Sequence, residues 1–366
     1  MAAGRPTIID VARDAGVSPA TAGRVLGGYG TPSPELVRRV QDSARRLGYR
    51  ANDVARSIVT GSTRVIGVVV SDIENPFFAR AVNGISDRAR AAGYEMLLVS
   101  TRMELARERS AVEALMAKRV DGMIVASASV SEGGHLRRVR EAGVPLVLLD
   151  RRNDGAGAVD AVLLDNRAAA QRAVSHLLGL GHRAVAVVTS ATSGEGGGEG
   201  GGRGGGGGGA PRRRRASAEF PSSLRFKGYL DALDEAGVTC DPGWVLRCDD
   251  ADAACERVRD LLVTRPDVTA IFATTNVMTG GAFRAIMDGD RRCPEDVSLM
   301  GFDDHEWSTL VRPQLSVVAQ PAYDLGAAAG TVLLGRLSGP GPRSAPSETI
   351  LQSSLVVRGS IAAPPA

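Results

Sequence analysis

The sequence predicts two kinds of structure in one chain. An all-α helix-turn-helix bundle with a hinge helix comes first. A larger α/β body of two parallel, doubly wound subdomains, arranged as two lobes, follows it. Three observations carry this prediction. Residues 7–26, TIIDVARDAGVSPATAGRVL, place apolar side chains at helical spacing on both sides of Gly16. From Arg64 onward, apolar strand runs alternate with amphipathic helices, the order that gives a parallel sheet with helices on both faces. That alternation restarts at Arg167, so two half-domains stand in tandem and a ligand is expected at the strand C-termini between them.

The first helix carries Ile8, Val11, Ala12 and Ala15 on one face, and Gly16 ends it by accepting the left-handed conformation of a C-terminal cap. Ser18 then caps a second helix, with Pro19 at the first position, where a missing N–H costs nothing. Val17, Thr21 and Val25 are expected to face the first helix, while Pro19, Ala20 and Arg24 point outward. In a helix-turn-helix the second helix enters the major groove of DNA with its N-terminal residues leading. Ser33-Pro34-Glu35 opens a third helix, Pro34 to Leu47, which Gly48 stops. Residues 51–59 form a short helix candidate, too short to be stable alone and therefore read as a hinge that orders on DNA.

In the body, Val65–Val70 is a buried strand run, followed by a helix from Ala79 to Ala92, a strand Glu95–Val99 and a helix Glu104–Lys118. Next come the strand Gly122–Ala126, the helix Leu136–Ala142 and the strand Leu146–Leu149. The second series has helices at Arg167–Leu180, Leu224–Ala236, Ala251–Thr264 and Val277–Met287, with strands at Ala184–Thr189 and Ala270–Ala273. Between them lies an almost pure glycine run, 194–209, followed by Arg212 to Arg215. It lacks a GK[ST] ending and a following helix, so it is read as a flexible, solvated loop of 194–216 and not a nucleotide site.

Composition narrows the function. The net charge of the 366 residues is +3, but the residues up to Thr63 hold nine arginines against five acids, leaving −1 for the remainder. A basic N-terminal module on a near-neutral body is the layout of a tethered DNA-binding domain. Cys240, Cys248, Cys255 and Cys293 are widely spaced, so neither a zinc site nor a disulfide framework is expected. Without an apolar leader or a run long enough to span a bilayer, a cytoplasmic protein with no membrane partner is expected. His135, His176, His182 and His305 are scattered, and no P-loop or nucleophile elbow is present, so no enzyme, catalytic residue or cofactor is expected.

In combination, several motifs resemble the LacI/GalR family of bacterial transcription regulators: IIDVARDAGVSPATAGRVL, Asn75-Pro76-Phe77-Phe78, Asp165-Asn166-Arg167, Gly181-His182-Arg183, Arg225-Phe226-Lys227-Gly228-Tyr229 and Gly301-Phe302-Asp303-Asp304. The resemblance covers nearly the whole chain outside the glycine run. It implies a periplasmic-binding-protein-like body of residues 64–366 behind a DNA-binding domain (1–50) and a hinge (51–63). The first subdomain is expected to hold about 64–163 and 305–319, the second about 164–304 and 320–366. Thr7, Ser18, Pro19, Ala20, Thr21 and Arg24 fall where the family meets the major groove, and Asn52, Ala55 and Ile58 in the hinge helix that enters the minor groove. Asp72, Asn75, Phe77, Phe78 and Asp150 are placed on one side of an effector cleft, and Arg225, Asn276 and Asp303 on the other. Carboxylates, amides, an arginine fork and phenyl rings suit a polyol. Asp250 stands where relatives often carry a ligand-stacking aromatic.

The expected function is a repressor that binds a pseudo-palindromic operator in double-stranded DNA as a homodimer, controlled allosterically by a small effector, a sugar or sugar derivative. No leucine-heptad tail follows Val357, so a dimer is expected over a tail-tethered tetramer. The alternative is a sugar-binding protein without DNA-linked regulation.

Overall fold

A computed structural model describes residues 6–27, 30–49, 61–191, 218–339 and 345–365. The expected hinge positions Asn52, Ala55 and Ile58, and the insertion 194–216, lie outside the described residues. The chain divides into two compact units, Met1–Val65 with Arg119–Asp121, and Ile66–Lys118 with Gly122–Ala366.

The first unit holds α1 (Ile8–Asp14), α2 (Pro19–Gly27) and α3 (Pro34–Leu47). Each helix begins on a hydroxyl cap. Thr7 and Asp10 form a reciprocal capping box, Ser18 accepts the Thr21 amide at 3.1 Å, and Ser33 accepts the Leu36 amide at 3.3 Å. Val11, Ala12, Ala15, Ala22, Val25, Val40 and Ala44 make the small core. The buried Ser43 hydroxyl donates to Asp14 at 2.6 Å, and Arg46 reaches the same carboxylate at 2.5 Å, tying α3 to α1. These two bonds, Ser43 first, hold the Asp14 carboxyl below its ordinary range.

Gly48 ends α3 at φ +65°, with open space where a Cβ would sit. Any cost of a side chain there is therefore conformational. Gly48→Ala is expected to destabilise the bundle by about 1–2 kcal/mol, read as a lower denaturation midpoint of the N-terminal unit.

The second unit contains two six-stranded sheets. The first sheet is built from β1 (Val65–Val70), β2 (Glu95–Ser100), β3 (Gly122–Val125), β4 (Leu146–Leu149), β5 (Asp160–Leu164) and β11 (Glu348–Leu351), in the order β11-β5-β4-β3-β1-β2. The second uses β6 (Val185–Ser190), β7 (Val245–Cys248), β8 (Ala270–Ala273), β9 (Ser298–Phe302), β10 (Ser316–Ala319) and β12 (Ser354–Val356), in the order β12-β10-β9-β8-β6-β7. The two orders match strand for strand, and the lobes differ in the sense of the last edge strand. The pairings β1–β3, β3–β4, β4–β5, β5–β11, β6–β7, β6–β8, β8–β9 and β9–β10 are parallel, and the edge pair β10–β12 is antiparallel. The central strands are buried along their length, which explains their continuous apolar runs. Helices α4 (Pro76–Ala91), α5 (Leu105–Ala117), α6 (Gly134–Glu141) and α12 (Ala322–Leu337) belong to the first lobe; α7 (Asn166–Gly179), α8 (Pro221–Glu235), α9 (Ala251–Thr264), α10 (Asn276–Met287) and α11 (Trp307–Leu310) belong to the second.

The expected division of the C-terminal segments is reversed for 305–319 and for 320–351, while β12 and Ile361 fall in the second lobe as expected. Residues 316–319 complete the second sheet beside β9, while α12 and β11, within 320–366, belong to the first lobe. The reason is packing. Gly326 and Gly84 let α12 lie against α4 so closely that a Cβ on either would fall about 2 Å from the other helix's backbone carbonyls. The chain thus crosses between lobes three times, after Leu164, after Ala319 and after Leu351. No described helix is long and apolar enough to cross a membrane.

Candidate functional site

Each unit presents its own candidate site. In the first, burial of Ala22 and Val25 fixes the roll of α2 and leaves Pro19, Ala20 and Arg24 exposed along one face. Thr21 is half-buried and shares a 2.9 Å hydroxyl contact with Ser18. The Thr7 hydroxyl donates to Asp10 at 2.7 Å. Thr7 and Ser18 therefore do structural work as helix caps in the arrangement described. Gly30 was not foreseen. At φ +82° its missing Cβ makes room for the Arg24 stem, which would otherwise lie 2.8 Å away.

A second unforeseen residue is Asp121. Its carboxylate accepts the Thr63 amide at 2.8 Å, the Thr63 hydroxyl at 2.8 Å and the Arg64 amide at 3.0 Å, and it also takes the Ser62 hydroxyl. One side chain thus holds the segment that leads from residue 61 into β1. The residue precedes β3, and nothing in its Val-Asp-Gly context distinguishes it from an ordinary turn acid.

The second unit has an interlobe cleft with a cavity of about 240 Å³. Asn75, Phe77, Phe78 and Asp150 line it from the first lobe, and Arg225, Asn276 and Asp303 from the second. Asp72 is not among the lining residues; it accepts the Glu74 amide at 3.0 Å and shapes the turn before α4. Asp250 caps α9 through the Ala253 amide. Aromatic surface comes instead from Phe220 and from the edge-to-face pair Phe77–Phe78. Arg151, Phe220, Ser222, Asp249 and Gln320 also line the cleft and were not singled out in the sequence.

Asp150 and Asp303 occupy equivalent places in the two lobes. Asp150 follows β4 at φ +72° and donates its amide to Val162 at 3.0 Å; Asp303 follows β9 at φ +73° and donates to Val318 at 2.9 Å. Left-handed φ is costly for a residue with a Cβ, and such strain gathers at functional sites. Arg151 engages one oxygen of Asp150 through Nε (3.1 Å) and Nη2 (2.8 Å), leaving the other uncommitted. One oxygen of Asp303 accepts from Gln320 at 2.6 Å, and the Gln320 carbonyl oxygen is buried without a partner among the described residues.

Arg225 projects from α8 and is only 4% exposed. Its Nε donates to Asn166 and its Nη1 to the Thr274 carbonyl, both at 2.8 Å, and the guanidinium lies 3.6 Å from the Phe302 ring centre. Burial pushes its pKa below the ordinary arginine value, with Asp303 and Asp150 opposing that shift. Chemically, the cleft presents carboxylate and amide acceptors from both lobes, the two arginines Arg151 and Arg225, and three phenyl rings.

Comparison with known proteins agrees with this architecture. The pattern described as bacterial regulatory proteins, lacI family, matches residues 7–52. That of periplasmic binding proteins and the sugar binding domain of the LacI family matches 63–201, and a periplasmic binding protein-like domain matches 174–361. Catabolite control protein A of Priestia megaterium is 33% identical over 328 residues, 89% of this chain and 91% of that protein. The ribose operon repressor of Halalkalibacterium halodurans is 31% identical over 333 residues, 90% of each chain. A solved complex of the transcriptional regulator CelR with cellobiose aligns at a TM-score of 0.67 and 27% identity, over 97% of this chain and 100% of that one. With a regulatory pattern over its N-terminal helices, a binding-protein pattern over its two lobes and a one-third-identical relative along nine-tenths of its length, the chain belongs to the LacI family of DNA-binding transcription regulators.

Proposed function

We propose that the protein is a ligand-controlled repressor that binds a pseudo-palindromic operator as a homodimer. Each α2 reads one major-groove half-site, and paired hinge segments kink the centre. A small sugar in the cleft changes the angle between the lobes and so the affinity for operator. The observation that carries this reading is the pair Asp150 and Asp303. Their uncommitted oxygens come from opposite lobes, so a ligand that bonds both favours one lobe separation over others. Hydrogen bonds from Arg80 on α4 to the Asp304 carbonyl, at 3.1 Å, and from the Ala218 amide to Asp154, at 2.9 Å, are light constraints on such a movement.

The exposed Pro19, Ala20 and Arg24 favour DNA binding over a sugar-binding protein without DNA-linked regulation. Leu97 and Leu98, both 37% exposed on the edge strand β2, supply apolar surface for a second copy. In this reading the protein turns over no substrate, requires no cofactor besides the effector and works in the cytoplasm, where the DNA is. Selection of bound duplexes from a random pool tests it. Enrichment of an inverted repeat is expected; enrichment of no motif, at a salt concentration that suppresses nonspecific binding, would sink it.

A further inference from the structure

We infer that the first lobe carries a second small-molecule site, at the end of its sheet opposite the interlobe cleft, which takes a small apolar monocarboxylate. The site is a cavity of about 250 Å³ walled by Val144, Pro145, Leu146, Val159 and Pro346. Arg140, Asp160 and Arg336 supply its polar side. All of these residues lie on elements of the first lobe or on the connections into its strands, so the volume does not depend on the separation of the lobes. Strand β4 divides the two sites. Leu146, its first residue, lines this cavity, and Asp150, just past its last, lines the cleft.

The walls are connections converging on the N-terminal ends of neighbouring strands. Val144-Pro145 leads from α6 into β4, Ala158-Val159 leads into β5, and Ala345-Pro346 leads into β11. Backbone hydrogen bonds fix them. The Pro145 carbonyl accepts the Met123 amide at 2.9 Å, and the Ser347 carbonyl accepts the Ala161 amide at 3.0 Å. Val144 and Pro145 are only half-buried and Pro346 is exposed, so apolar surface is left facing the cavity.

Charge decides what fits. Asp160, 6% exposed, is fully engaged: Arg336 bonds both of its oxygens at 2.8 Å, and Ser347 adds its amide at 2.8 Å and its hydroxyl at 2.9 Å. Asp160 and Arg336 thus form an ion pair that is neutral as a unit. Arg140 has no acidic partner among the described residues. Its side chain makes one hydrogen bond there, from Nη1 to the Ala158 carbonyl, at 3.5 Å, beyond the ordinary range. Gly157, at φ +78°, makes room for the guanidinium, since a Cβ there would fall 2.9 Å from Nη1. The cavity therefore has one surplus positive charge, with Nε and Nη2 of Arg140 uncommitted among the described residues. A planar fork of N–H groups beside apolar walls matches a carboxylate on an apolar body. A neutral apolar molecule would leave the fork unused, and inorganic phosphate would leave the walls uncovered.

Benzoate is the probe. The full-length protein, isotope-labelled in its valine and leucine methyl groups, is titrated with benzoate, benzamide and inorganic phosphate. Benzoate is expected to shift the resonances of Val144, Leu146 and Val159 and to bind ~10-fold more tightly than benzamide, with no shift from phosphate. Arg140→Met keeps the apolar stem and should remove the preference for benzoate over benzamide. Ala345→Trp fills the cavity from its exposed rim and should abolish the shifts caused by either compound. Neither position is in the core, so both variants are expected to melt as the unaltered protein does. Four results would overturn the inference: benzamide binding as tightly as benzoate, a benzoate preference that survives Arg140→Met, shifts confined to Val277 in the interlobe cleft, or no shift up to about 10 mM, where even a millimolar ligand is mostly bound. The regulator reading stands or falls separately, by operator selection.

Discussion

Replacing Asp303 with asparagine is expected to weaken sugar binding by about 10- to 100-fold while the protein remains folded. The magnitude is that of a hydrogen bond to a charged group, ~1.5–3 kcal/mol. Asparagine is the informative substitute because it tolerates the left-handed backbone at φ +73° and keeps an acceptor for Gln320. Asp303→Leu would confound the result, since it adds backbone strain and leaves the Gln320 amide without its partner. Asp150→Asn makes the contrast. There the buried Arg151, 7% exposed, loses the carboxylate that compensates it, so stability falls together with binding. Calorimetry and thermal melts on the two variants separate these outcomes. Undiminished sugar binding by a folded Asp303→Asn protein would remove Asp303 from the site.

Asp121→Ala is expected to do the opposite: sugar binding survives and its effect on DNA binding is lost. The carboxylate gathers the Ser62 hydroxyl, the Thr63 amide and hydroxyl and the Arg64 amide, fixing the stretch that joins the hinge positions to β1. Without it, that stretch gains freedom, and lobe movement is no longer converted into a defined hinge position. Couplings of this kind are ~1–3 kcal/mol, so a response of about 5- to 150-fold in operator affinity should shrink toward none. Operator titrations of the variant, with sugar absent and saturating, measure it. A full response would show that the signal travels elsewhere.

Much of this architecture is legible in the residues. Ser33-Pro34 and Gly48 bound α3, and the unbroken apolar run of Val65–Val70 bounds β1, because caps and buried central strands leave strong local signals. The three crossings between lobes leave none. Ser316–Ala319 is a four-residue strand that could serve either sheet, and α12 carries Gly326, Gly330 and Gly335, which lower helix propensity while permitting its close packing. The division of 305–319 and 320–366 is therefore a tertiary result.

The cleft divides similarly. Asn75, Phe77, Phe78, Arg225 and Asp303 stand in motifs that point to it, and Asp150 and Asn276 follow from the family resemblance. Arg151 is hidden in an ordinary polar turn, Phe220 follows the glycine- and arginine-rich run, and Gln320 matters only because a lobe crossing brings it beside Asp303. Asp72 shows the reverse, a polar residue next to the site in sequence whose carboxylate is used by its own turn.

Ligand control of DNA binding is tested most directly by a closed thermodynamic cycle. Operator affinity is measured with the sugar absent and saturating, and sugar affinity with the operator duplex absent and saturating. Linkage requires the two ratios to be equal, and a value of about 5–150 is expected. Tight operator binding that is identical in both conditions, with the sugar demonstrably bound, would contradict a repressor governed from the cleft.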